Sequence, residues 1–163
     1  MRNYILVILS IVIILFLMGS FEGQKVDGDL YTAGGVTVVH GAGDVGNYMT
    51  AVGWTSDEFT NCTLTDSGFT GLMPGVYGVS AHLSVSSSQS NYISHSSVFI
   101  NDTEDNSCES ERTIATGSDV GAYGPNGRIT VASVTDIIKV KIKVDKAGTT
   151  TLNHGTFTIE RLR

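Results

Sequence analysis

Two runs of strict two-residue alternation constrain this chain more than any other feature. In Val76–Ser86, Tyr77, Val79, Ala81, Leu83 and Val85 fall on one side, while Gly78, Ser80, His82, Ser84 and Ser86 fall on the other. In Ile137–Asp145, Ile138, Val140, Ile142 and Val144 alternate with Lys139, Lys141 and Lys143. Successive side chains of a strand point to opposite faces, so each run describes a sheet with one dry and one wet face. Weaker alternation predicts eight further strands: Val36–His40, Tyr48–Trp54, Phe59–Leu64, Phe69–Leu72, Ser96–Asn101, Arg112–Thr116, Ile129–Val134 and Thr156–Leu162. Turn signals separate them at Asp66-Ser67-Gly68, Met73-Pro74-Gly75, Gly124-Pro125-Asn126-Gly127 and Lys146-Ala147-Gly148. The 19 glycines and 2 prolines suit short strands and tight turns and suit helices badly. Ten strands in residues 36–163 predict an all-β fold, a two-sheet sandwich or jelly roll.

The N-terminus is of another kind. Tyr4–Phe21 carries no charge over 18 positions. As a helix it would span roughly 27 Å, enough for a hydrocarbon core of about 30 Å. Residues 1–21 therefore read as one N-terminal transmembrane helix, a membrane anchor, and the polar, Gly-rich residues 22–35 as a linker. The competing reading is a secretory signal peptide cleaved near Ser20, which would release the domain. The cleavage pattern is poor, because Met18 and Phe21 stand where small residues belong. Arg2 precedes the span, and Glu22, Asp27 and Asp29 follow it against Lys25 alone. The positive-inside bias then places the C-terminal domain on the non-cytosolic side. A 14-residue linker would let the domain ride about 40–50 Å from the bilayer.

With 10 Lys+Arg against 16 Asp+Glu, the net charge of −6 argues against nucleic-acid partners. No spacing of catalytic groups can be defended, so no enzyme activity and no cofactor is expected. The histidines His40, His82, His95 and His154 form no metal-ligand pair. Gly41-Ala-Gly43-Asp-Val-Gly46 matches a dinucleotide fingerprint, but the residues after it do not read as a helix, so it reads as a turn. Asp102, Glu104, Asp105, Glu109 and Glu111 read as a solvated acidic loop rather than a Ca²⁺ site. The lysine stripe reads as a solvated sheet face or a guarded edge. Cys62 and Cys108 could pair in an oxidising compartment or remain free thiols. A bridge would close a loop of roughly 45 residues and contribute about 3–4 kcal/mol. Asn61-Cys-Thr63 and Asn101-Asp-Thr103 are N-glycosylation sequons if the domain enters a secretory lumen.

The stretch Phe69-Thr-Gly-Leu-Met-Pro-Gly75-Val-Tyr77-Gly-Val79 resembles the signature of the C1q/TNF-like jelly-roll family: an aromatic, five residues, then Gly-x-Tyr-x-hydrophobic. Asp57 occupies the family's acidic or amide position twelve before Phe69, while Cys62 and Ala51 depart from its aromatic positions. Val98–Asp102, Thr135–Val140 and Gly155–Leu162 resemble later strands of such domains. The resemblance implies a core built around Phe69, Gly75, Tyr77 and Val79, and a domain that commonly forms trimers. Domains of this kind serve as extracellular ligands and adhesive heads, and similar jelly rolls serve as capsid or spike components. Two functions follow as expectations. One is a virion structural protein, a membrane-anchored minor capsid or spike subunit contacting other structural proteins between membrane and shell. The other is a type II membrane-anchored cell-surface ligand or adhesin.

Overall fold

Alternating apolar residues bury themselves by pairing one sheet's inner face with another's, and the computed structural model shows that outcome. It describes residues 27–32, 36–55, 59–65, 67–117 and 120–162. The expected anchor at 1–21 lies outside them. Among the described residues no helix is long and apolar enough to cross a membrane. Thirteen strands are present in the described chain: β1 Asp27–Thr32, β2 Val36–His40, β3 Met49–Thr50, β4 Phe59–Thr60, β5 Thr63–Thr65, β6 Gly68–Thr70, β7 Gly75–Ser87, β8 Tyr92–Ile100, β9 Thr103–Ile114, β10 Val120–Tyr123, β11 Asn126–Val131, β12 Ile138–Val144 and β13 Gly148–Arg161.

They form two antiparallel sheets. One runs β10-β7-β13-β1-β4, with β11 also on β7 and β2 also on β13; the other runs β5-β6-β12-β8-β9, with β3 also on β12. Between them lie Tyr77, Val79, Ala81, Leu83 and Val85 of β7, Phe157 and Ile159 of β13, and Ile138, Val140, Ile142 and Val144 of β12, all buried. Both strict alternations thus face one core. Phe69 and Phe157 meet at 5.1 Å, and Trp54 packs beside Phe157 at 6.2 Å. The indole donates to the Ala51 carbonyl at 2.9 Å, which satisfies its one polar group.

Several elements depart from the sequence reading. Residues 22–35 read as a linker, yet Asp27–Thr32 is β1, paired along its whole length with Glu160–Gly155 of β13. Asp-Gly-Asp-Leu-Tyr-Thr has no alternation to read, and the strand exists because β13 supplies a partner backbone. The expected strand Thr156–Leu162 is the second half of a 14-residue strand. Its register shifts between Leu152 and His154. Before the shift Thr150 and Leu152 are buried; after it Gly155, Phe157 and Ile159 are. One extra residue, Asn153, changes the buried parity from even to odd and erases the period-2 signal. Expected strand Phe59–Leu64 is split at Asn61, whose φ of 58° breaks the extended run. The acidic residues expected in a loop sit mostly in β9, with only Asp102 in the turn before it. β10 was not expected, being four residues long with Gly121 within it.

The strands define two ends. Val131, Gly75 and Asp27 begin or finish their strands beside the C-terminal end of β13, because Arg161 pairs Tyr77, Glu160 pairs Asp27, and Val131 pairs Gly75. The turns 41–47, 88–91, 115–117 and 145–147 lie at the other end, where Gly148 pairs His40 and Tyr92 pairs Ile114.

Candidate functional site

The family-motif residues are structural. Phe69, Tyr77 and Val79 are buried, Gly75 opens β7, and the Tyr77 hydroxyl donates to the Met73 carbonyl at 2.6 Å. That bond ties the central strand to the turn before it. Asp57 lies outside the described residues. Cys62 and Cys108 are not joined in a disulfide; Cys62 is half-buried and Cys108 buried. Cys108 is buried against Gly127 of β11, where a glycine Cβ would come within 2.4 Å of its sulfur. Burial pushes its thiol pKa up. Asn61 is exposed on its left-handed residue. Asn101 is engaged: its Oδ1 accepts from the Ile137 amide at 3.0 Å, and its Nδ2 donates to Asp136 at 3.1 Å.

Asp136 is a device that sequence reading missed. Its second oxygen accepts from the amides of Ala132 and Ser133, both at 2.9 Å. These bonds, the Ser133 amide first and then the Asn101 side chain, hold its carboxyl below the usual carboxylate range. The result is a clamp joining the β8–β9 turn to the β11–β12 turn.

The most organised surface is the outer face of the β12-β8-β9 sheet. Register places Lys139 beside Phe99 and Glu104, Lys141 beside Ser97 and Glu109, and Lys143 beside His95 and Glu111. Each row therefore runs from a cation to an anion. The lysines lie down on aromatic rings: Lys141 Nζ is 4.4 Å from the Phe99 centroid and Lys143 Nζ is 4.5 Å from that of Tyr48. Tyr48 meets Phe99 edge-on at 5.0 Å and donates to Glu109 at 3.1 Å. Burial, reinforced by Glu104 and Glu109, pushes the Tyr48 phenol far above its ordinary range. Asp102 takes both Lys139 and Lys141, at 3.4 and 3.0 Å, which lowers its pKa. His95 Nδ1 lies 3.4 Å from both Glu109 and Glu111. β12 is flanked by β8 on one side and by β6 and β3 on the other, so the lysine stripe is neither a sheet edge nor a loose solvated row. Its positive charge is matched in place by the carboxylates of Asp102 and Glu109.

The other sheet's outer face is shallow and small-grained. An open depression of about 370 Å³ is floored by Gly78, Ser80 and Gly127 and flanked by Arg128, Thr158 and Glu160. Among the described residues no group of three or more His, Cys, Asp and Glu could hold a metal ion. Gly41–Gly46 forms a turn closed by Asp44, which accepts from the Gly41 amide at 3.0 Å. His82 and His154 are exposed, whereas His40 is buried with neither ring nitrogen hydrogen-bonded.

Paired antiparallel sheets around a buried aromatic core give the domain a jelly-roll fold of the TNF-like kind. Solved structures of the same fold include a vertex protein, a TNF and APRIL. Vertex protein P5 of PRD1 covers 86% of this chain and 99% of its own at 14% identity and a TM-score of 0.56. Eiger TNF from S. frugiperda covers 86% of this chain and 94% of its own at 14% identity and a TM-score of 0.58. Murine APRIL at pH 5.0 covers 83% and 98% at 10% identity and a TM-score of 0.56. No family model and no curated protein matches the chain.

Proposed function

We propose that this chain is a membrane-anchored structural protein of a virion, a minor capsid or spike subunit whose jelly roll stands on the non-cytosolic side and makes protein contacts between membrane and shell. The observation that carries the reading is the fold shared with a vertex protein across nearly all of that protein's length, joined to an uncharged 18-residue N-terminal stretch. The self-matched Lys–aromatic–Glu face supports it, since a rigid, charge-balanced surface suits docking against another protein. The homotrimer implied by the family resemblance belongs to the same proposal, and sedimentation of the detergent-solubilised chain tests it.

The fold is shared equally with Eiger TNF and APRIL, and this favours a second reading as a type II membrane-anchored ligand or adhesin. Purified particles separate the two. The first reading expects the chain in particles, extractable only with detergent. The second expects it on cell surfaces, carrying glycan at Asn61.

A further inference from the structure

We infer that the end of the sandwich carrying Met73, Val134 and Leu162 rests on the surface of the bilayer that holds the anchor, with these side chains among the lipid headgroups. The inference depends on the membrane-anchor reading and sharpens it. Direction comes first. β1 begins at Asp27 beside Glu160, so the chain enters the domain at the end where β13 finishes. Length comes second. Only residues 22–26 separate Phe21 from β1, a reach of at most about 20 Å when fully extended. The headgroup layer takes up about 5–8 Å of that. The domain cannot stand off from the membrane as a 14-residue linker would allow.

The loops at this end are built for such contact. Met73, Val134 and Leu162 are 45%, 49% and 44% exposed and gather at this end. Their backbones are pinned. The Gly71 amide donates to the Val134 carbonyl at 3.1 Å, Tyr77 holds Met73, and the Leu162 amide donates to Val76 at 2.8 Å. Pinned loops add little ordering cost when they enter an interface. Of the carboxylates nearby, Asp136 is held by Asn101 and two backbone amides, while Asp102 pairs with Lys139 and Lys141 but stays exposed, as does Glu160. Arg161 donates to the Pro74 carbonyl at 3.2 Å. At the opposite end Val39, Val45 and Val120 are 61%, 38% and 55% exposed, so the point at which the chain enters the domain, and not apolarity alone, selects the end that faces the bilayer. The contact is therefore a shallow apolar insertion rather than attraction to anionic lipid.

The test uses the full chain in phosphatidylcholine vesicles, with or without bromine on the upper acyl chain, and tryptophan fluorescence. Trp54 is buried and gives a constant background. Val134→Trp and Met73→Trp each add a reporter at this end, and Val120→Trp adds one at the other. The expected result is a loss of roughly half of the added emission for the first two in brominated vesicles, and none for Val120→Trp. Flotation with vesicles but equal, weak quenching at all three positions would overturn this inference and leave the anchor intact. Failure to float, or release by alkaline wash, would overturn the anchor and this inference together.

Discussion

Replacing Asp136 with alanine removes the clamp between two turns, and its cost can be worked from the structure. Three hydrogen bonds are lost, from Ala132 N, Ser133 N and Asn101 Nδ2, at 2.9, 2.9 and 3.1 Å. A hydrogen bond to a charged group contributes about 1.5–3 kcal/mol net. The turn borders solvent, so water takes over part of this role, and a total of about 2–4 kcal/mol is expected. The sign of the pH dependence follows from the lowered folded pKa. The contribution is fully present above the unfolded carboxyl value, near 3.9, and is lost as pH falls through the folded value. Urea unfolding of the full chain in detergent, followed by the emission of the sole tryptophan, Trp54, measures it. Asp136→Ala should shift the midpoint strongly at pH 7, and the gap to the unaltered chain should narrow below pH 4. Asp102→Asn serves as the contrast, because its carboxylate is almost wholly exposed and its lysine pairs are screened by water. Equal midpoints for Asp136→Ala and the unaltered chain at pH 7, or a gap that does not narrow in acid, would refute the clamp.

Other outcomes follow from single contacts. Tyr77→Phe should cost about 1 kcal/mol by freeing the Met73 carbonyl, measured by the same urea titration. Gly68→Ala should abolish folding or cost several kcal/mol, because the new Cβ would sit 1.9 Å from the Ile138 carbonyl oxygen; circular dichroism would report the loss of sheet. Burial lowers the His40 pKa, with Asp44 opposing, so the unfolded chain takes up a proton first as pH falls below about 6.5. Stability should fall through that window, and His40→Phe should flatten the fall in urea midpoints between pH 7.5 and 5.5. Cys108 should react with a maleimide only on unfolding, while half-buried Cys62 reacts in the native chain; mass analysis of labelled peptides distinguishes them.

What the sequence made legible, and what it hid, has physical reasons. β7 and β12 could be read because their inward positions are uniformly apolar, and Tyr77 with Phe69 pointed to the right fold through a motif that packs the core. β8 could be read only from Ser96 onward, because Ser94 and Ser96 face inward and are buried, the first against the Tyr123 hydroxyl. Serine at a core position looks like solvent in a two-residue pattern. β13 was halved by the bulge at Asn153, and β1 has no pattern of its own. The lysine row was visible, but its partners were not. Which carboxylate meets which cation depends on cross-strand register, and β9 skips several residues between Glu109 and Asp105 where it pairs Ser97 and Val98. The Asn101–Asp136 clamp joins residues 35 apart, and only the packed turns bring them together.

The proposed function meets its most direct test in purified particles. Gradient-purified virions from the source that encodes the chain, probed with an antibody to the jelly roll before and after detergent extraction, should contain it and release it only when the membrane dissolves. Its absence from the particles, with the intact chain recovered on cell surfaces instead, would contradict a virion role and leave the ligand reading in its place.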